Sequence, residues 1–283
     1  MTATVGLLHP GSMGAAFGAQ LRARGVTVLW SPEGRSHASV RRAGKAGLEP
    51  DTVASLLARA DVVLSLCPPA AAEDVARLVG EHSFVGKTYV DANAIAPPRM
   101  HRIAELLPQA AVLDAAVVGS PPTGGKFPTL YLSGPARQAT EVESLFADTD
   151  VRTHFLGEER GKASALKLAY SSYQKVSRVL AAVAYGAADE YGVADELLTI
   201  AAKRTRSYLA ETDYIPKTAA RAWRWGPELE DAAALLADAG LPDDLMHAAV
   251  ETLARWNGNK DEPMDLAEAL AALRGDRIPT DPT

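Results

Sequence analysis

The stretch GLLHPGSMGAAFGAQL, residues 6–21, decides the fold. A short apolar run ends at Leu8. Gly11 and Gly14 follow, and then Met13, Phe17 and Leu21 recur at spacings of four, as on one face of a helix. A strand, a glycine turn and a helix in that order open a βαβ unit that cradles phosphate, usually spelled G-x-G-x-x-G. The frame His9-Pro10-Gly11-Ser12-Met13-Gly14 keeps the second and third glycines and puts His9 at the first. The second glycine lets backbone approach a pyrophosphate, and the third lets the helix pack close to the sheet. Gly18 extends the small face of that helix. The tight turn is expected to take a different backbone route: residue 9 needs no positive φ if Pro10 fixes the next φ at about −65°. Anion binding needs only free N–H groups and the dipole at the helix N-terminus. An ordinary strand–turn–helix with two turn glycines is the competing reading. Placement directly after the first strand and at the start of a helix favours a bound dinucleotide.

The pattern continues outward. Apolar runs at 3–8, 26–30, 62–66, 88–91, 112–115 and 130–132 read as strands. Helical patterns lie between them at 12–24, at 52–58 with Asp51 as N-cap, at 71–79 after a Pro-Pro break, and at 99–107 behind Pro97 and Pro98. This alternation predicts a Rossmann-type, doubly wound, mostly parallel α/β sheet. After about residue 160 the strand signals fade. Residues 163–191 read as one long helix, with Leu166, Tyr173, Leu180 and Ala187 every seventh residue and Ala169, Val176 and Val183 beside them. That face is broad enough to be buried on more than one side. Helices at 195–209, 228–238, 244–255 and 264–274 follow, and the Pro-rich tail at 278–283 reads as loose. The expected organisation is an NADP-binding α/β domain at 1–160 and an all-α domain at 161–283 that begins with the long helix.

Composition narrows the function. The 283 residues carry a net charge of −6, with 47% hydrophobic and 23% charged residues, which fits a soluble globular chain and disfavours a nucleic-acid surface. Cys67 is the single cysteine, so no internal disulfide is possible, and the six scattered histidines give no metal-binding spacing. No metal site is expected. No apolar run is long enough to span a membrane and no signal peptide opens the chain, so the expected location is cytoplasmic.

The end of the second strand bears on which nicotinamide cofactor is bound. NAD-binding chains place an acid there for the ribose hydroxyls. Here it reads Leu29-Trp30-Ser31-Pro32, with no acid until Glu33, and then Gly34-Arg35-Ser36. Arginine and hydroxyl groups suit a 2′-phosphate, because guanidinium grips phosphate bidentately. NADP is therefore expected, with Ser31, Arg35 and Ser36 at its phosphate. A solvated loop arginine is the plainer alternative.

These elements together resemble the β-hydroxyacid dehydrogenase family, which includes 3-hydroxyisobutyrate dehydrogenase and is related to 6-phosphogluconate dehydrogenase. Residues 6–14 are similar to its G-x-I-G-x-G-x-M-G. ADVVLSLCP (60–68), DANAIAP (91–97), DAAVVGS (114–120) and Lys167 are similar to its later motifs, in the same order. The stretch at 221–242 resembles the helical domain of an uncharacterised branch of that family. The chain departs from the family at three polar positions: Val118 stands for a substrate-contacting serine, Asn93 and Ala94 for a Ser-Thr pair, and Tyr170 for an asparagine.

The resemblance implies hydride transfer between a nicotinamide and a small, acidic substrate, interconverting alcohol and carbonyl, with Lys167 as the proton donor and acceptor. A half-buried lysine is suited to exchanging protons near neutral pH. Lys167, Ser171, Gln174 and Arg178 form a polar stripe on the long helix that is expected to line a cleft, against the commoner case of a plain solvent-facing stripe. Tyr170, one turn from the lysine, is the second candidate acid. Val118, Gly119 and Ser120, with the loop at 121–126, are expected to border the substrate. Asn93 is expected to orient the carboxamide of the nicotinamide or the substrate. Leu66, Cys67 and Pro68 end the third strand beside the cofactor, as crevices in such sheets require. Trp223, Trp225, Tyr208 and Tyr214 read as core or subunit-contact residues, and His247 as structural. The family implies a homodimer through the helical domain. Imine reductases of the same architecture place other acids at the lysine, so imine reduction is the alternative chemistry. A non-catalytic NADP-binding protein is the alternative outside enzymes.

Overall fold

The structure is a computed structural model that describes residues 3–204, 207–258 and 263–275. The side chains of Arg178 and Val183 and the tail at 278–283 lie outside the described residues. The chain divides into two compact units, 1–171 and 172–283, and the division falls within the long helix.

The first unit is built on one eight-stranded sheet in the order β3-β2-β1-β4-β5-β6-β7-β8. Its strands are β1 (Thr4–Leu8), β2 (Thr27–Trp30), β3 (Glu49–Pro50), β4 (Val62–Ser65), β5 (Thr88–Asp91), β6 (Ala111–Val118), β7 (Thr129–Ser133) and β8 (Arg152–Phe155). Every neighbouring pair is parallel except β6 with β7. Parallel strands covered on both faces must be apolar throughout, and β4 (VVLS) is buried at all four positions. One face packs Phe17 and Leu21 of α1 (Ser12–Ala23) with Val142 and Phe146 of α6 (Ala136–Phe146). Phe17 meets Phe146 edge to face at 5.5 Å. The other face packs Leu56 of α3 (Val53–Arg59), Val75 of α4 (Ala72–Glu81), and Met100 and Ile103 of α5 (Pro97–Leu106).

Strand order reverses between β1 and β4, so the crevice outside their carboxyl ends is the place where such sheets take ligands. The remaining helix of this layer, α2 (His37–Lys45), follows β2 and is capped by Ser36 Oγ, which accepts from Ser39 N–H. Asp51 is not the cap of α3. Thr52 Oγ1 takes that place, accepting from Ser55 N–H, while Asp51 accepts from Ser55 Oγ and Arg59.

The long helix α7 (Lys162–Glu190) runs from the first unit into the second, which contains α8 (Ala194–Ala201), α9 (Ile215–Asp238), α10 (Asp244–Leu253) and α11 (Leu266–Arg274). Helix α8 stops at Ala201 and does not reach 209. Helix α9 starts at Ile215, well before the expected residue 228, and continues through Pro227. The apolar residues of α9 bury against α10 and α11 on both sides of the proline, and this packing outweighs the hydrogen bond the proline removes. Ala219, Ala222, Leu253, Trp256 and Ala269 form one small core, with Trp225 packed against it and Trp256 Nε1–H donating to the Ala269 carbonyl at 2.9 Å. Trp223, Tyr208 and Tyr214 are exposed and are not core residues of this chain. His247 is half exposed between Glu230 at 3.3 Å and Asp243 at 3.7 Å.

Candidate active site

The turn after β1 supplies the first part of the site. His9 holds φ at +73°, against the expectation that Pro10 would make this unnecessary. The backbone reverses at residue 9 itself, so that the His9 carbonyl faces α1 and accepts the Gly11 N–H at 2.8 Å. Fixing φ at Pro10 does nothing to orient that carbonyl. The consequence falls on Gly14, where a Cβ would lie 2.6 Å from the His9 carbonyl oxygen. A Cβ on Gly11 would touch nothing within 4 Å. That open space, at the N-terminus of α1, leaves the first N–H groups of the helix accessible to an anion. Ser12, beside it, is exposed, Met13 is half-buried and Pro10 is buried. The residues present therefore fit a dinucleotide.

Next to the turn, a narrow cleft at the ends of β1 and β2 is lined by His9, Ser31, Arg35 and the apolar Val53, Val75 and Leu78. Ser31 is buried, and its Oγ accepts the Glu33 N–H at 3.4 Å. Ser36 is exposed and spends its oxygen on the α2 cap. Burial pulls the Arg35 guanidinium below the usual arginine range, and its Nε is enclosed without a partner. No carboxylate is among the described residues lining the cleft. The sequence reading overlooked Arg42. Its Nε donates to the Pro10 carbonyl at 3.3 Å, tying α2 to the glycine turn. The signal for it was the Arg41-Arg42 pair six and seven residues beyond Arg35.

A polar row crosses the sheet at the level where β1 ends. Ser65, Asp91, Asp114 and Ser133 are register partners on adjacent strands, so their side chains share one face, and all four are buried. Asn93 closes one half of the row. Its Nδ2 donates to Ser65 Oγ at 3.0 Å and to Asp91 Oδ2 at 2.8 Å, and its Oδ1 accepts the Cys67 N–H at 2.6 Å. Both amide hydrogens are used internally, so Asn93 clamps the loops after β4 and β5 and has no donor left for a ligand. Burial, ahead of the neighbouring Asp114 charge, pushes the Asp91 carboxyl up to about 7. Cys67 is buried, and burial pushes its thiol up to about 11; Leu66 is half-buried and Pro68 exposed.

The other half of the row holds the start of α7. Asp114 accepts from Ser133 Oγ at 3.0 Å, from Ser164 N–H at 3.0 Å and from Ser164 Oγ at 2.6 Å. Ser133 Oγ accepts the Ala163 N–H at 3.2 Å. A carboxylate at a helix N-terminus also meets the positive end of the helix dipole. Gly161, at φ +101°, packs against Pro97 at the start of α5. Lys167, half-buried, comes one turn after Ser164. Tyr170 is 38% exposed and Ser171 is half-buried. Val118 is half-buried at the end of β6, while Gly119 and Ser120 are exposed. The loop after them is held along α1, where Gln20 Nε2 donates to the Pro122 carbonyl at 3.2 Å.

Residues 4–95 match the family described as NADP oxidoreductase, coenzyme F420-dependent, and residues 188–256 match a domain family of unknown function, DUF1932. An uncharacterised 28.5 kDa protein of Methanothermus fervidus is 28% identical over 176 residues, covering 62% of this chain and 67% of that one. A conserved protein of unknown function, described as structurally similar to 3-hydroxyacid dehydrogenases, is 25% identical with a TM-score of 0.60, over 90% of this chain and 98% of that one. An imine reductase from Pseudomonas sp. shares the fold at 17% identity and a TM-score of 0.70, over 96% and 100% of the two chains. A reductive aminase from Aspergillus terreus, in complex with NADPH and ethyl levulinate, does so at 21% and 0.74, over 95% and 99%. The chain thus joins a Rossmann-type segment similar to NADP oxidoreductases to a helical segment similar to DUF1932, in a fold seen also in the protein likened to 3-hydroxyacid dehydrogenases and in imine reductases.

Proposed function

We propose that this chain is an NADP-dependent oxidoreductase that interconverts an alcohol and a carbonyl on a small, acidic substrate. Gly11, Ser12, Met13 and Gly14 receive the pyrophosphate on the N-terminus of α1. Arg35, with Ser31 and Ser36, receives the 2′-phosphate. The bound nicotinamide supplies or accepts the hydride at the substrate carbon. Lys167 gives a proton to the carbonyl oxygen in reduction and takes it from the hydroxyl in oxidation. Val118, Gly119, Ser120 and Ser171 border the substrate. Asn93 serves by holding the strand-end loops in place. The observation that carries the reading is the anchoring of the Lys167 helix to Asp114, on the same polar row that holds the loops beside the glycine turn. Two copies pair through the helical domain, whose exposed apolar faces support a homodimer.

The test is steady-state reduction of small keto acids with NADPH. Lys167→Ala is expected to lower kcat by roughly 10²–10⁴ while NADPH still binds. Turnover that survives the loss of the lysine overturns this mechanism. The second reading is imine reduction with Tyr170 as the acid, favoured by its exposed position one turn from Lys167. It predicts that Tyr170→Phe abolishes turnover of cyclic imines and that Lys167→Ala spares it. NADPH bound tightly but oxidised with no substrate points to a binding protein.

A further inference from the structure

The first glycine position of the turn carries an imidazole, and the groups around it are all neutral or basic. His9 lines the cleft at the ends of β1 and β2 together with Arg35. His9 Nδ1 and Arg35 Nε are both enclosed there without a hydrogen-bond partner. Two unsatisfied nitrogens in one cleft are costly in the absence of a ligand. Arg35 faces His9 from the β2–α2 loop, and Arg42 of α2 stands at the Pro10 carbonyl. Cys67, at the end of β4, lies beyond Arg35 with its thiol protonated. Helices α3 and α4 contribute only Val53, Val75 and Leu78 to the lining. No acid offsets this charge among the described residues of the cleft.

We propose that His9 is a second anion anchor of the nucleotide site, taking up a proton as a phosphate dianion seats at the mouth of this cleft against its imidazole and the Arg35 guanidinium. This rests on the NADP reading above and adds to it a residue and a proton. Without nucleotide, burial and then the Arg35 charge push the imidazole down to about 4, so it is neutral at pH 7. A dianion beside it reverses the local field and favours the charged ring. Solvent supplies the proton. One phosphate dianion, one imidazolium and one guanidinium then sum to zero charge in the cleft. NADH brings no phosphate to this place and draws no proton.

The experiment is titration calorimetry of NADPH and NADH at pH 7 in buffers of different ionisation enthalpy. It gives the number of protons exchanged on binding. A phosphate meeting cations can only lose a proton, so net uptake comes from a protein side chain, and the His9 variants separate the imidazole from the half-protonated Asp91 carboxyl. Expected is uptake approaching one proton with NADPH and none with NADH. His9→Gln and His9→Gly should abolish the uptake and reduce the NADPH-over-NADH preference roughly tenfold or more. Glycine suits the backbone at +73°, so the second variant guards against misfolding. Tight, selective NADPH binding without uptake, or uptake unchanged in both variants, overturns this proposal and leaves the NADP reading standing. Equal binding of both nucleotides, unaffected by Arg35→Ala, or binding of neither, overturns the NADP reading and this proposal with it.

Discussion

A methyl group on Gly14 would sit 2.6 Å from the His9 carbonyl oxygen, and backbone on that side cannot step aside cheaply. Gly14→Ala should therefore destabilise the chain by about 1–3 kcal/mol in urea unfolding. Gly11→Ala meets open space and should leave the unfolding midpoint unchanged while NADPH binding is lost. The importance of both glycines is legible in their spacing. The left-handed backbone at His9 is not, because sequence does not reveal which way a carbonyl must face. Asn93 misleads for a similar reason. A polar residue just past a strand end reads as ligand-facing, and only the buried partners Ser65 and Asp91 reveal that its donors are already used. Asp91 carries a pH signature. Its folded value near 7 lies above the ordinary 3.8, so its ionisation opposes folding. That cost is absent below pH 4, grows as pH rises through 5 and 6, and is complete above 7. The melting temperature of wild type relative to Asp91→Asn should fall as pH is raised from 5 to 8. A flat difference would mean that Asp91 does not titrate in that window.

At the scale of elements, the start of α7 depends on two hydrogen bonds from Ser164 to the buried Asp114 carboxylate and one from Ala163 N–H to Ser133 Oγ. Ser164→Ala removes the 2.6 Å bond to Asp114 and leaves a charge partly unsatisfied. A loss of about 1.5–3 kcal/mol is expected from chemical denaturation. If the anchor positions Lys167, kcat should fall in the same variant with little change in KM, and Ser164→Thr should restore part of it. Most core elements of the first unit are legible, because buried parallel strands are short apolar runs and the helices between them have one apolar face. Helix α6 went unread although it buries Ala139, Val142 and Phe146, while the other exceptions have physical causes. Helix α2 buries only Ala43, so it shows no apolar stripe. Strand β3 has two residues, and β8 is an edge strand with no fully buried position. Helix α9 contains Gly226-Pro227, which in sequence reads as a boundary, but packing on both sides of the proline overrides it.

At the scale of the molecule, the second unit leaves much apolar surface uncovered. Leu180, Leu198 and Ile200 are 42%, 52% and 65% exposed, and a cleft of about 530 Å³ lies among α7, α8 and α9. Patches of this kind mark surfaces that bind other chains. Light scattering should return twice the chain mass, and Leu180→Glu combined with Leu198→Glu should return a single chain mass. The broad apolar face on the long helix stays exposed at Val176 and Leu180, and a periodicity of seven does not say what covers it. Among the described residues no helix is long and apolar enough to cross a membrane. The single cysteine offers a way to watch the first unit breathe. Cys67 is shielded, its thiol is protonated at neutral pH, and its N–H is held by Asn93. A bulky disulfide dye can reach that sulfur only during moments when the β4 and β5 loops part. The rate of colour development then becomes a stopwatch for those openings, and a nucleotide seated on the loops should slow it.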